Sequence, residues 1–355
     1  MSFSQSAPIA VYGASGHTGR FVVHELLRRG LEPIAVGRNA ARLQQSLPDR
    51  VTRRVARTDD VGSLKQAFAG CSVVIHCAGP FVDTAEAVAR AALRAGCHYV
   101  DVSAEQASTR TILDEFDLPA RDAGRVAVPA CGFFGGLADL LASALASDGP
   151  IDAITVAVGL DRWWPTDGTR RTGVRNTAPR FVVRDGRLAP LLSGDPVPAW
   201  EFAAPLGRQE MRQLALSEVI ALHHHLEAGS ISPLVSRVAL DDIHDPRTPP
   251  PDSVDPCGRS AQRFELMVRL EQAGATRIAG VRGQDIYAVT APIVVELARR
   301  LMQTAFARSG ALTLAQVVDP DDFLSSLVKH GSIELTPSSN HANDPGPLAA
   351  GGRSP

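Results

Sequence analysis

The sequence predicts an α/β fold in which a doubly wound parallel sheet is followed by a second, α+β domain built on an antiparallel sheet. Over residues 1–135, short apolar runs alternate with longer amphipathic segments, which is typical of strands and helices in turn. Beyond that region, apolar runs follow one another with turn residues between them. The chain has 355 residues, a length that suits two domains.

The first predicted domain, residues 1–135, contains six apolar runs that are each followed by a helix-like segment or a turn. Parallel strands need crossover connections, so this alternation predicts a parallel sheet with helices on both faces. The predicted strands are 9–12, 33–36, 51–55, 72–77, 98–102 and 125–128. The predicted helices are 18–29, 40–46, 61–69, 84–95 and 108–123.

The second predicted domain spans residues 136–284 and begins with a helix at 137–146. Asp185-Gly186 separates two apolar runs and predicts a hairpin turn. Residues 245–257 are rich in proline and charge and predict an exposed loop. The predicted strands are 151–160, 180–183, 197–202, 264–270 and 276–281.

The remainder of the chain divides into two further segments. Residues 285–335 predict C-terminal helices, including a long one over 285–308. Residues 336–355 are rich in serine, proline, glycine and asparagine, which predicts a disordered tail.

Composition limits the classes of function. Hydrophobic residues make up 45% and charged residues 21%, and the net charge of −2 disfavours nucleic acid as a partner. The five cysteines form no C-x-x-C pair, so neither a disulfide framework nor a metal site is expected. No apolar run reaches the ~20 residues that span a bilayer, and the N-terminus lacks the features of a signal peptide. We therefore expect a cytoplasmic protein without a membrane partner.

A glycine-rich turn carries the strongest functional signal. It follows the first predicted strand, opens the first predicted helix, and comprises Gly13, Ala14, Ser15, Gly16, His17, Thr18 and Gly19. Such a turn brings backbone close to a pyrophosphate, and the helix N-terminus offers free N–H groups. We expect Gly13 to make the tight turn, Gly16 the close approach and Gly19 the helix–strand contact. The motif predicts dinucleotide binding.

The end of the second strand indicates which dinucleotide binds. NAD sites place an acidic residue there for the ribose 2′-OH, but residues 33–39 contain none. Arg38 occupies that place, beside Asn39, and Arg42 follows one helical turn later. A guanidinium suits a 2′-phosphate by charge and by its forked donors. The sequence therefore predicts NADP(H), with Arg38 and Asn39 in the cofactor site.

Two further turns are expected at the carboxyl ends of the strands, where open α/β sheets bind ligands. The fourth strand ends in Cys77, Ala78, Gly79 and Pro80, which we place beside the cofactor. The fifth carries Tyr99 and Asp101 on one face, followed by Ser103 in the cofactor site and by Glu105. Ser103 is as well suited to capping the next helix. Tyr99, Asp101 and Glu105 are candidate proton donors, and Asp101 is preferred.

Three other features carry alternatives. Cys131 precedes a predicted helix, where a thiol can be activated, but we expect a small residue beside the cofactor and no nucleophile. Adjacent histidines do not share a helix face, so His223-His224-His225 does not predict a metal site. Trp163-Trp164 suits either a substrate cleft or core packing. No tyrosine is followed four residues later by lysine, so the acid/base pair of short-chain dehydrogenases is missing.

Together these segments resemble the saccharopine dehydrogenase-like oxidoreductases, including the trans-acting enoyl reductases. The matching segments are GASGHTG at 13–19, VGRNAARL at 36–43, VVIHCAGPF at 73–81, CHYVDVSAE at 97–105 and VPACGFFGGLADLL at 128–141. The resemblance implies an NADP(H)-binding Rossmann domain, then an antiparallel domain for substrate or for a homodimer interface. It also implies that residues 285–308 return to the first domain. The family often has glycine at Ala104 and aspartate at Phe134, so polar roles are not transferred to those positions.

The sequence thus predicts an enzyme, an NADP-dependent oxidoreductase that transfers hydride to or from a C=N or C=C bond of a small molecule. The alternative is a non-catalytic NADP-binding sensor that regulates a protein partner, which the missing tyrosine–lysine pair also fits. The aromatic residues of the second domain favour the enzyme, because a sensor needs no cover over a substrate.

Overall fold

A seven-stranded parallel sheet forms the first layer of the computed structural model, which describes residues 7–192 and 197–341. Its strands lie in the order β16-β6-β5-β4-β1-β2-β3, which is the doubly wound arrangement predicted. They are β1 (Ile9–Tyr12), β2 (Pro33–Gly37), β3 (Thr52–Val55), β4 (Val73–His76), β5 (His98–Asp101), β6 (Val126–Val128) and β16 (Gly310–Ala311). The edge strand β16 comes from the end of the chain and was not predicted.

Helices cover both faces of this sheet. They are α1 (His17–Arg28), α2 (Ala40–Ser46), α3 (Val61–Phe68), α4 (Phe81–Arg94), α5 (Gln106–Glu115) and α6 (Asp117–Asp122). The one helix predicted over 108–123 is interrupted at Phe116. Alternation along β1 sends Ile9 and Val11 into the core on the side of α1, and Ala10 and Tyr12 into the core on the side of α3 and α4.

The second sheet has eight strands and is mixed, whereas a purely antiparallel sheet was expected. Its strands are β7 (Ile151–Leu160), β8 (Phe181–Arg184), β9 (Arg187–Pro190), β12 (Met211–Gln213), β13 (Ala228–Ser236), β14 (Arg263–Gln272), β15 (Ala275–Gln284) and β17 (Glu334–His341). β13 runs parallel to β7, and every other pair in this sheet is antiparallel. The chain returns to β13 through a long excursion, which permits the parallel pairing.

The excursion between β7 and β13 contains short elements. A two-stranded ribbon joins β10 (Trp200–Glu201) to β11 (Arg208–Gln209), so the strand predicted over 197–202 is much shorter than expected. Asp185 and Gly186 both have positive φ, 49° and 72°, and form the predicted hairpin turn between β8 and β9. The helices of this half are α7 (Gly136–Leu145), α8 (Asp167–Arg175), α9 (Ser217–His225) and α10 (Arg237–His244).

The chain after β15 crosses back to the first sheet. Its helices are α11 (Thr290–Leu301), α12 (Leu314–Val317) and α13 (Pro320–Lys329). The helix predicted over 285–308 is shorter because a hydrogen-bonded turn at Asp285, with φ of 59°, precedes α11. Arg29, the residue after α1, donates to Glu296 of α11 over 2.7 Å, which holds α11 against the first domain.

The prediction of a disordered tail over residues 336–355 is wrong for the first six of these residues. Residues 336–341 extend β17, which pairs with the edge strand β15 through the backbone. Polar composition did not reveal this pairing, because an edge strand needs little apolar surface. Residues 342–355 lie outside the described residues. Among the described residues, every helix is too short or too polar to cross a membrane.

Candidate functional site

The glycine turn has the geometry of a phosphate-binding loop. Gly13 has a φ of 86°, and a Cβ atom there would lie 2.8 Å from the Cβ of Ala78. A Cβ at Gly19 would lie 2.2 Å from the carbonyl oxygen of Gly13, so only glycine lets α1 approach the turn. These are the tight-turn and packing roles expected for the two residues.

The N-terminus of α1 is open to a ligand. Gly16 is its N-cap residue and supplies no side-chain cap, so the first-turn N–H groups remain available to a phosphate. The residues Ser15, Gly16, His17 and Thr18 are half-buried, and Ala14 is fully buried beneath them. The bare helix end and the glycine cradle therefore fit a dinucleotide pyrophosphate.

Arg38 lies where a 2′-phosphate would bind. It is exposed at the end of β2 and makes no hydrogen bond or ion pair with any described residue. Asn39 accepts a hydrogen bond from the backbone N–H of Arg42 over 3.0 Å, so its side-chain oxygen caps α2. An uncompensated guanidinium at this position suits the extra phosphate of NADP(H).

The turn after β4 lies against the glycine turn and is partly open. Cys77, Ala78, Gly79 and Pro80 are all half-buried, and burial raises the pKa of the Cys77 thiol. A Cβ at Gly79 would lie 3.1 Å from Oγ1 of Thr172 in α8, so the second domain covers this turn closely. The turn therefore lies between the glycine turn and α8 of the second domain.

Glu105 ties this turn to the turn after β5. Its carboxylate accepts hydrogen bonds from the backbone N–H groups of Phe81 and Val82 over 2.8 and 2.9 Å. Burial raises the pKa of this carboxyl group, although those two bonds favour its ionised form. Glu105 is 1% exposed, so it holds the start of α4 and does not face a substrate.

The structure places Tyr99 and Asp101 together, on one face as alternation predicted, but inside the protein. The Tyr99 hydroxyl lies 2.8 Å from Oδ2 of Asp101 and donates to it when Asp101 is ionised. Both residues are 0% exposed. Oδ1 of Asp101 accepts from the backbone N–H groups of Ser103 and Ala130. Burial raises the pKa of Asp101 to about 6 and that of Tyr99 further above its usual range. This geometry favours a positioning role over direct contact with substrate, against our preference for Asp101 as proton donor.

Periodicity could not show which helix layer these side chains enter. Tyr99 packs with Phe68 and Phe116, in the layer of α3 and α5. Ser103 is also 0% exposed, and its Oγ accepts from the N–H of Glu105 over 3.0 Å. The capping alternative for Ser103 is wrong, because the N-cap residue of α5 is Glu105, without a side-chain cap, and Ser103 lies two residues earlier. Its bond to Glu105 orders the turn before the helix, and a contact with the cofactor stays a prediction.

The turn after β6 is apolar. Cys131 is 0% exposed, its thiol donates to the carbonyl of Val128 over 3.2 Å, and burial raises its pKa well above the usual value. Such a thiol is not activated as a nucleophile. Phe134 stacks on Trp163 with ring centroids 5.3 Å apart, so Trp163 packs in the core and also forms the wall beside this turn.

Tyr287, which was not predicted as a site residue, lies where the glycine turn, Trp163 and α8 meet. Its ring contacts His17 of the glycine turn edge to face, at 5.3 Å between centroids. Its hydroxyl accepts from Nε1 of Trp163 over 3.0 Å and lies 3.0 Å from Oγ1 of Thr169 in α8. Tyrosines in turns before helices are common, so no local sequence signal would have singled it out.

The turn that carries Tyr287 is rigidly held. Asp285 is 0% exposed, and its carboxylate accepts from the backbone N–H groups of Ser260, Tyr287 and Ala288. Its positive φ costs about 1 kcal/mol or more, and such strain persists where surrounding bonds enforce it. The Nε2 atom of His17, beside this turn, is buried without a hydrogen-bond partner among the described residues. A polar ligand between the two would satisfy it.

The triple histidine is divided among separate surroundings. Nε2 of His225 lies 2.6 Å from Oδ1 of Asp139, which joins α9 to α7. Burial lowers the pKa of His224. Within the described parts of the chain, no cluster of three or more potential ligands is arranged around a metal position.

The first domain matches a known family. Residues 9–128 match the model of the saccharopine dehydrogenase NADP binding domain. This segment runs from β1 to β6 and includes the glycine turn, Arg38 and the turn after β4.

Three curated relatives align over parts of their length. A probable mitochondrial saccharopine dehydrogenase-like oxidoreductase of Arabidopsis thaliana is 32% identical over 142 residues, which are 35% of this chain and 31% of the relative. A lipid droplet localized protein of Caenorhabditis elegans is 32% identical over 146 residues, 37% and 34% of the two chains. The human saccharopine dehydrogenase-like oxidoreductase is 28% identical over 152 residues, 37% and 35% of the two chains. The alignments thus span about a third of these relatives.

Two solved structures also resemble parts of the chain. Triphenylmethane reductase of Citrobacter sp., complexed with NADP(H), is 30% identical and covers 27% of this chain and 37% of its own, with a TM-score of 0.25. An NADPH-dependent quinone oxidoreductase of Escherichia coli is 27% identical and covers 28% and 38%, with a TM-score of 0.26.

The family match agrees with the site built from the residues. The cofactor of this domain is NADP(H). Residues 9–128 are thus similar to the NADP binding domain of saccharopine dehydrogenase, and the relatives that align over part of the chain include saccharopine dehydrogenase-like oxidoreductases.

Proposed function

We propose that this protein is an NADPH-dependent reductase that acts on a C=N or C=C bond of a small molecule. One observation carries the proposal: the Tyr287 ring contacts His17 of the glycine turn, and the Tyr287 hydroxyl contacts Trp163 and Thr169 of the second domain. NADPH supplies the hydride in such a reaction. The chain must bind the cofactor, exclude water and supply a proton.

The binding residues follow from the site. The first-turn N–H groups of α1 would hold the pyrophosphate, and Arg38 would hold the 2′-phosphate. The turn from Cys77 to Pro80 would line the nicotinamide side. α8 lies over that turn, with Thr172 against Gly79, and its Arg175 pairs with Asp83 of α4 over 2.6 Å.

Tyr287 is the proposed proton donor in place of Asp101. When hydride adds to one carbon of the double bond, the bond's electron pair moves to the other atom, which takes the phenolic proton. Trp163 donates to the same oxygen and would stabilise the phenolate that forms. Thr169, 3.0 Å away, and Thr166, 2.9 Å beyond it, form a hydroxyl path for reprotonation from solvent.

The test is NADPH oxidation, followed by absorbance, against a panel of imines and enoyl thioesters. Oxidation that depends on one class of acceptor supports the proposal. If bound NADPH is oxidised by no member of either class, the proposal is overturned in favour of the sensor.

The proton donor is tested by Tyr287→Phe. We expect a loss of turnover of about 10²- to 10⁴-fold with NADPH affinity unchanged, as for removal of a general acid. Thr155→Val is the control, since Thr155 and Ala157 share the face of β7 that packs away from the site, near Trp200. Turnover of Tyr287→Phe close to that of wild type would remove Tyr287 from this role.

A cytoplasmic location and a homodimer through the second domain stay predictions. Light scattering tests the homodimer, and a mass equal to one chain would contradict it. Fractionation of cells that express the native gene tests the cytoplasmic location.

A further inference from the structure

Three hydrogen-bond contacts, two of them buried, connect Asp101 to the turn after β4. Oδ2 of Asp101 lies 2.8 Å from the Tyr99 hydroxyl, which lies 3.0 Å from Nδ1 of His76. Nε2 of His76 lies 3.2 Å from the carbonyl oxygen of Ala78. The three side chains are 0% exposed, so the two contacts among them are closed to water, whereas Ala78 is half-buried. We call this series the Asp101–Ala78 chain.

The number of protons decides which bonds of this chain can form. Three bonds need three protons, and Tyr99 supplies one. Burial lowers the pKa of His76 to about 3, so its ring is neutral near pH 7 and supplies one more. With Asp101 ionised, two protons serve three contacts: Tyr99 donates to Asp101, His76 donates from Nδ1 to Tyr99, and the bare Nε2 faces the Ala78 oxygen.

A proton on Asp101 satisfies the whole chain. Asp101 then donates to Tyr99, Tyr99 donates to Nδ1 of His76, and Nε2–H donates to Ala78. The proton belongs on Oδ2, because Oδ1 already accepts from two backbone N–H groups, those of Ser103 and Ala130. The Ala78 oxygen also accepts from the Thr84 hydroxyl over 2.8 Å, so it has a partner in either state. Nε2 of His76, by contrast, has a partner together with the other two contacts of the series only in this protonation state.

We propose that the proton on Asp101 sets the direction, from donor to acceptor, of the hydrogen bonds in the Asp101–Ala78 chain. His76 is thereby a positioning residue for the turn after β4. NADP(H) accordingly binds more tightly when Asp101 is protonated. Ala78 is where this direction matters. A Cβ at Gly13 would lie 2.8 Å from its Cβ, so displacement of the Ala78 turn reaches the glycine turn directly. The proposal concerns cofactor affinity and does not depend on the proposed reaction.

The surrounding titratable groups leave Asp101 as the switch. Burial raises its pKa to about 6. The thiols of Cys77 and Cys131 face it from the ends of β4 and β6, and burial keeps both neutral. Glu105, from the turn after β5, is bound to the backbone of α4. The groups that face Asp101 are His76, Cys77, Tyr99, Glu105 and Cys131.

Two variants fix the chain by different chemistry. In Asp101→Asn, the amide N–H donates to Tyr99 at every pH, and the amide oxygen keeps the two backbone bonds. In Tyr99→Phe, the link is cut, and His76 can keep its proton on Nε2 for Ala78. A merely structural role would predict weaker binding in both variants and no change in pH dependence.

The experiment measures the Kd of NADPH by calorimetry from about pH 5 to about pH 8, a range that brackets titration of the carboxyl group. Relative to each variant, we expect the wild type to bind about 2- to 10-fold more weakly at the upper end, the effect of one neutral hydrogen bond. The comparison cancels titration of the ligand's own 2′-phosphate. A wild-type to variant ratio that stays constant with pH would overturn the proposal.

Nitrogen NMR of wild-type His76 provides a measurement that needs no stable variant of the chain. We expect the proton on Nε2 at low pH and on Nδ1 at high pH. The same tautomer at both ends of the range would overturn the proposal even if neither variant folds.

Discussion

Glu296 stabilises the return of α11 to the first domain, and its removal has a size that can be worked out. Its side chain is 0% exposed and accepts charged hydrogen bonds from Arg29, Arg299 and Arg300 at 2.7, 2.7 and 2.9 Å. Burial alone would raise the pKa of Glu296, but the hydrogen bonds from Arg299 and Arg300 outweigh it and lower the pKa from 4.5 to about 2. A difference of this size corresponds to about 3 kcal/mol of stability at neutral pH.

The perturbation is Glu296→Gln, which keeps the shape and removes the charge. We expect the free energy of unfolding in urea at about pH 7 to fall by about 3 kcal/mol, in the range for breaking a buried pair. Because the folded-state pKa is lowered, the contribution is present above about pH 4.5 and is lost as pH falls toward 2. The difference between wild type and variant should therefore shrink in acid.

The matched control is Glu334→Gln. Glu334 also pairs with an arginine, Arg282, at 2.8 Å, but its side chain is 70% exposed. Such a pair contributes less than about 1 kcal/mol. A Glu296→Gln variant as stable as this control, or equally destabilised at all pH values, would refute the reasoning.

Two further predictions concern the buried side chains of Glu218 and Cys131. Burial raises the pKa of Glu218 to about 7, and its Oε2 has no hydrogen-bond partner among the described residues. Because the folded-state pKa is raised, the stability from this group is present below about pH 4.5 and is lost as pH rises through 7. At about pH 8, the free energy of unfolding of Glu218→Gln should therefore exceed that of wild type by up to about 3 kcal/mol. Urea unfolding of both proteins at about pH 4.5 and at about pH 8 measures this gain. The same difference in free energy of unfolding at the two pH values would contradict the prediction. Cys131→Ser should retain most NADPH-dependent turnover, because the serine hydroxyl can keep the bond to Val128; lost turnover with a thioester trapped on wild-type Cys131 would show that the thiol reacts.

Most of the parallel layer was predictable because β1, β2, β4, β5 and β6 are buried, largely apolar runs bounded by turn residues. β1 at Ile9–Tyr12 and β7 at Ile151–Leu160 have the predicted bounds. β13 was missed because its sequence, AGSISPLVS, combines small and polar residues with a proline. β16 has two residues, too few to form a pattern.

The site was predictable where backbone chemistry decides it and not where tertiary contacts do. The glycine turn and Arg38 follow from local rules about helix ends and charge. Alternation placed Tyr99 and Asp101 on one face but could not say that the face is buried. Tyr287 and Thr169 lie 118 residues apart, so only the folded chain brings them together.

The most direct test of the account is the affinity of the wild-type protein for NADPH and for NADH, measured side by side by calorimetry. Arg38 is exposed, has no acidic partner among the described residues, and lies where NAD-binding sites place an acid. A charge-assisted bond to the 2′-phosphate contributes roughly 1.5–3 kcal/mol, so NADPH should bind about 10- to 150-fold more tightly, and Arg38→Asp should abolish or invert the preference. Equal affinities of the wild type for the two cofactors would contradict the assignment of the site.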